Sequence, residues 1–163
     1  ACVLKNILDP GEILMDIDNS LKEILRQNDD FESNKDGMDI SLCLVDVDSN
    51  KMYTAGAMRP IYVYRQGMQH IIKGDRFSLG GTIVKNKVFN TREYDLMKGD
   101  LVYMFSDGYA DQFGGPNRRK MKVLKLNELL DQVSQLDISK QGKEIDSFFE
   151  NWKGDILQMD DVC

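Results

Sequence analysis

Apolar positions in this chain follow a helical period at both ends and a strand period between. Ile13, Leu14, Ile17, Leu21, Ile24 and Leu25 recur at helical spacing and predict a helix with one apolar stripe. Asp9-Pro10-Gly11-Glu12 supplies its start, with Asp9 as cap, Pro10 at the first helical position and Glu12 completing a capping box. Val3, Leu4, Ile7 and Leu8 read as the end of an earlier helix, and the polar stretch 28–39 as a loop. Strand patterning then takes over. Ile40 to Val47 forms a strand, Asp48-Ser49-Asn50 a turn, and Lys51 to Ala57 the partner strand. Ile61 to Arg65 and His70 to Lys73 form a second hairpin around Gln66-Gly67. Lys87 to Leu96 is extended, and Leu101 to Phe105 has the β-branched and aromatic content of a buried strand. Two helices follow. The first carries Leu126, Leu129, Leu130, Val133 and Leu136; the second carries Ile145, Phe148, Phe149 and Trp152 and ends near Gly154. A block of antiparallel strands with helices at either end makes this an α+β chain.

Composition narrows the function classes. The 163 residues are 42% hydrophobic and 29% charged, enough for one domain with a sizeable core. A formal net charge of −6 argues against non-specific binding to nucleic acid or to anionic membranes. Cys2, Cys43 and Cys163 show neither a disulfide framework nor metal-ligand spacing, and Cys43 reads as a small buried apolar residue. A reducing cytoplasm is the expected compartment. Apolar runs are only strand-length, so no direct membrane contact is expected of this segment.

The chemistry concentrates where the Leu101 strand meets Ser106-Asp107-Gly108. Asp107 falls where a rigid strand hands over to a loop, a common position for a catalytic or metal-binding carboxylate; a turn-capping Asp before Gly is the competing interpretation. Gly108 would let backbone approach such a site closely. A second acidic element, Met159-Asp160-Asp161-Val162, lies at the C-terminal end, as a ligand segment or as a frayed acidic tail. Carboxylates distant in sequence that converge in space hold hard divalent cations. Asp111 and Asp39 are further candidates, the first for a water beside the site and the second at the start of the Ile40 strand; both read more readily as structural. His70 sits on a strand edge without a partner nucleophile, which leaves covalent catalysis unsupported. Asp46-Val-Asp48-Ser-Asn50 imitates the start of an EF-hand loop. Lys51 and Ala57 then occupy its glycine and glutamate positions, so it reads as a hairpin turn. Gly114-Gly115-Pro116 and Asn117 to Lys120 read as a loop whose Arg118, Arg119 and Lys120 attract a phosphoprotein or are simply solvated.

These motifs, taken in order, resemble the PPM-type metal-dependent protein serine/threonine phosphatases, in the bacterial branch named for sporulation stage II protein E. The resemblance rests on Asp36 to Asp46, on Tyr53-Thr-Ala-Gly-Ala57 with Arg59-Pro60, and on Lys73-Gly-Asp-Arg76 with Ser78-Leu-Gly80. Its most specific part is Phe105-Ser-Asp-Gly-Tyr-Ala-Asp-Gln-Phe-Gly-Gly115, and Trp152-Lys-Gly-Asp155 with Asp160-Asp161-Val162 closes it. It implies a layered antiparallel β-sandwich flanked by helices. It also implies a pair of Mn2+ or Mg2+ ions held by Asp107 and Asp160, with Asp161 the less favoured neighbour. The implied substrate is a phosphorylated regulatory protein of the anti-anti-sigma type.

The family's Asp-Gly-x-Gly-His-Gly-like motif has no counterpart here. The chain begins inside the family's first long helix and stops where a final core strand would begin. Residues 1–163 therefore read as a phosphatase domain incomplete at both ends. Two expectations follow. The chain either self-associates through exposed strand edges and apolar faces, a homodimer being one form of this, or is marginally stable, and, in the rival reading, it serves as a non-catalytic interaction module.

Overall fold

A computed structural model of the chain describes residues 9–27, 36–81 and 86–163. Val3, Leu4, Ile7 and Leu8, Cys2 and most of the predicted polar loop lie outside them. In chain order the first elements are α1 (Pro10–Ile24), β1 (Gly37–Met38), β2 (Ile40–Asp46), β3 (Lys51–Ala57), β4 (Ile61–Arg65) and β5 (Met68–Ile72). Next come β6 (Leu79–Gly80), β7 (Arg92–Asp95), β8 (Leu101–Tyr103) and α2 (Asp107–Asp111). The chain then runs through β9 (Phe113–Gly114), β10 (Arg119–Lys120), α3 (Lys122–Val133) and α4 (Ile138–Lys153). The mixture of antiparallel sheets and helices is the α+β class expected. The chain forms two compact units, one from the chain up to Ile61 with Ile71–Asp100, the other from Tyr62–His70 with Leu101–Cys163.

In the first unit Asp9 caps α1 through a bond from the Glu12 amide to its Oδ1, 3.0 Å long. Thr91 ties that cap down, its hydroxyl accepting from the Gly11 amide at 2.9 Å and donating to Asp9 Oδ1. The sheet runs β2-β3-β7, all antiparallel, with Ile40 opposite Ala57 and Thr54 opposite Arg92. Leu14 meets Ala55, Ala57, Leu79 and Phe89 in the core, with Met15, Ile17 and Leu21 beside them. The predicted stripe is shorter than its sequence: Ile24 is 75% exposed, while Asp18, on the apolar face, is buried. The extended run from Lys87 condenses to β7, and Val88 points to solvent. Cys43 is half-buried rather than core. The Asp46 carboxylate accepts the Asp48 and Ser49 amides and the Ser49 hydroxyl, so this segment is the hairpin turn expected.

In the second unit β4 pairs antiparallel with β8, Tyr62 opposite Tyr103 and Tyr64 opposite Leu101. The helices bury Leu126, Leu129, Leu130, Val133 and Phe149 around Tyr62, Tyr64 and Tyr109. Tyr109 packs against Phe149 and donates its hydroxyl to the Ile145 carbonyl at 2.7 Å. Four sequence expectations change here. β8 ends at Tyr103, at the edge of the β5-β4-β8 sheet, and is buried on one face only: Leu101, Tyr103 and Phe105 pack on the core while the alternate Val102 and Met104 face water. The Asp107 turn is instead the first turn of α2. The glycine-rich loop is closed into a small hairpin by pairing of Gly114 with Arg119. Leu136 lies past the end of α3 and is exposed. Among the described residues, no helix is long and apolar enough to cross a membrane.

Candidate functional site

The site forms where α2 begins. Ser106 has extended backbone, φ −70° and ψ 167°, and Asp107 opens the helix. Ser106 does not cap α2. Its hydroxyl donates to the Asp161 carbonyl at 2.8 Å and accepts from the Cys163 amide at 3.2 Å. The Ser106 amide also reaches the Cys163 carbonyl at 3.4 Å. One serine thus fastens the C-terminal segment to the residue before Asp107.

Gly108 makes this approach sterically feasible. A Cβ there would lie 2.3 Å from the Asp161 carbonyl oxygen and 3.0 Å from its carbon, inside any real contact distance. The close backbone approach expected of Gly108 is therefore present, and its partner is the acidic tail. Asp160 sits one residue before this crossing. Its Oδ1 accepts the Asp161 amide at 2.7 Å, and its carbonyl accepts Gln158 Nε2 at 2.8 Å. The tail is therefore bonded and seated rather than frayed, and Val162 packs against the aromatic core.

The remaining candidates take other roles. Asp111 pairs with Lys120 across 2.7 Å, tying α2 to β10. Arg118 Nη2 donates to both oxygens of the Asp155 carboxylate, at 2.8 Å each, in an exposed ion pair. Asp39 belongs to the first unit, where it accepts from Ser78 and from Arg59 Nη2, the latter at 3.4 Å. Gly114 and Gly115 also do more than turn the chain: a Cβ on Gly114 would lie 1.8 Å from the Trp152 carbonyl oxygen.

Asp107, Asp160 and Asp161 bring hard oxygen donors of the kind Mg2+ and Mn2+ take. The Gly108 cradle lets the Asp161 main chain lie against α2, one residue from Asp107. Their donor chemistry suits a divalent-cation site. Among the described residues no group of three or more His, Cys, Asp or Glu side chains gathers to complete one. Sequence reasoning missed Ser106 and Gln112, the polar residues that hold the tail. Neither carries a charge or a metal-ligand spacing that would have marked it.

A family model described as Stage II sporulation protein E (SpoIIE) matches residues 2–163. No curated protein matches the chain. Among solved structures, the SiaA-PP2C domain of Pseudomonas aeruginosa superposes with a TM-score of 0.80 at 23% identity, covering 94% of this chain and 58% of that one. The phosphatase domain of the cell fate determinant SpoIIE from Bacillus subtilis, presoaked with Mn, gives a TM-score of 0.57 at 14% identity, over 97% of this chain and 72% of that one. A longer Bacillus subtilis SpoIIE fragment, with part of its regulatory domain, gives 0.62 at 17% identity, over 93% and 46%. The chain thus spans little more than half the length of the first of these. At such identities the likeness establishes the PP2C phosphatase fold.

Proposed function

The chain belongs to the stage II sporulation protein E family, and we propose that it acts as a divalent-metal-dependent protein phosphatase, hydrolysing phosphoserine or phosphothreonine on a regulatory partner protein in the cytoplasm. The observation that carries this reading is the seating of the Asp160-Asp161 segment on the Gly108 backbone, next to Asp107. Asp107 and Asp160 would hold Mn2+ or Mg2+, and Ser106 and Gly108 keep their two segments together. When bound, such a metal pair supplies an acidified water and neutralises the phosphoryl oxygens. The Mn-presoaked Bacillus subtilis domain supports that choice of metal. Asp39, Asp111 and Asp161 take supporting roles.

In this reading the chain is part of a phosphatase domain, and a carboxylate beyond the described residues completes the ligand set. Its partner is a phosphorylated regulator of the anti-anti-sigma kind. The test is Mn2+ titration by calorimetry together with hydrolysis of a phosphoserine peptide, on the chain and on Asp107→Asn. Binding and turnover lost together in the variant are expected. Turnover that survives Asp107→Asn, or that ignores Mn2+, would sink the proposal.

A second reading, a non-catalytic module that binds partner proteins, is favoured by the lack, among the described residues, of any group of three or more His, Cys, Asp or Glu side chains. Retained partner binding without hydrolysis in the longest natural form of the protein would select it.

A further inference from the structure

Gln112 is completely buried, which is uncommon for a glutamine. Its main chain is fixed first: the carbonyl accepts Trp152 Nε1 and the Met121 amide, each at 3.0 Å. The side chain then reaches the C-terminal segment from this anchored base. Nε2 donates to the Leu157 carbonyl at 3.1 Å and to the Phe113 carbonyl at 2.9 Å, while Oε1 accepts the Met159 amide at 3.1 Å. The amide orientation is forced by its partners, because turning it over would set donor against donor and acceptor against acceptor.

Apolar burial does not hold this part of the tail. Leu157 is 83% exposed and Met159 is 62% exposed. The segment is gripped by its backbone at two places. Gln112 takes residues 157 and 159, Ser106 takes residues 161 and 163, and Asp160 lies between the grips. Gln112 also ends α2, whose first residue is Asp107. We propose that Gln112 is a positioning residue for the candidate site: its buried carboxamide sets the Asp160 segment against the helix that carries Asp107. This rests on the reading of Asp107 and Asp160 as metal carboxylates. It assigns Gln112 no contact with metal or substrate.

The experiment compares the chain with Gln112→Leu, Gln112→Met and Asp160→Asn by two measurements. Amide exchange is followed without metal, and Mn2+ affinity by calorimetry. Gln112→Leu should speed exchange at Met159 and its neighbours while α3 stays protected. It should also weaken Mn2+ binding about 10- to 100-fold, as loss of a residue that orients ligands does. Gln112→Met keeps the length and a weak thioether acceptor for Met159 and loses both donors without burying a charge, so its effects should be intermediate; it carries the test if the leucine variant does not fold. Asp160→Asn should weaken Mn2+ binding with exchange unchanged, which separates a ligand from a residue that places one. Unchanged exchange at Met159, or full Mn2+ affinity in both Gln112 variants, overturns the proposal. A wild-type chain that binds no Mn2+ removes the metal reading and with it the positioning role, whatever the exchange shows of the tail.

Discussion

Lys87 and Asp18 form a buried ion pair, Nζ to Oδ1 3.2 Å, with the lysine side chain wholly out of water. Nζ also donates to the Ser78 and Gly80 carbonyls, at 2.8 and 2.5 Å, and Asp18 Oδ1 accepts the Gly80 amide at 2.7 Å. Gly80 thus gives its N–H to the acid and its carbonyl to the base. The pair links the middle of α1 to β6 through backbone.

Lys87→Met should therefore be among the most damaging substitutions in the first unit. It leaves two carbonyls without a donor and Asp18 with Lys22, at 2.6 Å, as its remaining cation. Breaking a buried pair costs about 3–5 kcal/mol, and the surviving Lys22 contact should hold this one to about 3. Urea denaturation gives the value. An Asp18→Asn, Lys87→Met double variant should cost less than the sum of the single ones; strict additivity would mean the pair is not coupled.

The same network sets an acid limit. Burial alone would raise the Asp18 carboxyl, but bonds from Lys22, the Gly80 amide and Lys87 outweigh it and hold it below its ordinary value. Asp75 is likewise raised by burial and lowered further by Asn90 and Arg92. A carboxyl depressed in the folded state adds stability that is complete above its unfolded pKa. That stability is lost as pH falls through the folded value. The urea midpoint should thus be flat from neutral pH down to about 4, the unfolded carboxylate value, and drop below it. Lys87→Met should flatten that drop. An unchanged acid profile in the variant would contradict the assignment.

Two glycines in the second unit should respond with opposite sign. A Cβ on Gly114 would collide with the Trp152 backbone, so Gly114→Ala must separate β9 from the end of α4. A loss of about 3 kcal/mol, at the top of the usual range for overpacking, is expected. Gly142 lies exposed within α4, and a Cβ there meets nothing within 4 Å. Gly142→Ala should raise stability by about 0.5–1 kcal/mol through helix propensity and a less flexible unfolded chain. Thermal unfolding of both variants checks the pair.

Periodicity revealed the elements whose environment is set locally. The Asp9 cap, the β2–β3 hairpin and the core faces of α3 and α4 are all written in spacing and turn chemistry. It failed where tertiary partners decide. Nothing local marks Asp18 as buried: Lys22 is an ordinary i,i+4 helix partner, and the buried cation, Lys87, lies 69 residues away. The strand content of Leu101 to Phe105 did not reveal an edge position, since that depends on which strand pairs with it. At the candidate site, residue type pointed to Asp107 and Asp160, but the means of joining them was not legible. Ser106 and Gln112 act through neutral hydrogen bonds spanning 57 and 47 residues respectively, a role that serines and glutamines show no sign of in sequence.

The junction itself can be opened in two ways. Gly108→Ala pushes a methyl group into the Asp161 carbonyl, so the tail must leave its seat or α2 must move. Ser106→Ala removes the hydroxyl bonds to Asp161 and Cys163 without adding volume. Neither change touches a carboxylate. Both should nevertheless weaken Mn2+ binding and phosphoserine-peptide hydrolysis, Gly108→Ala more severely. Ser106→Ala should cost about 1–2 kcal/mol of stability for the two ordinary hydrogen bonds lost. Ser106→Thr keeps the hydroxyl and should restore much of the binding. If Gly108→Ala folds and binds Mn2+ like the unaltered chain, the seating of the tail beside Asp107 has no part in the site, and the two carboxylates must act separately.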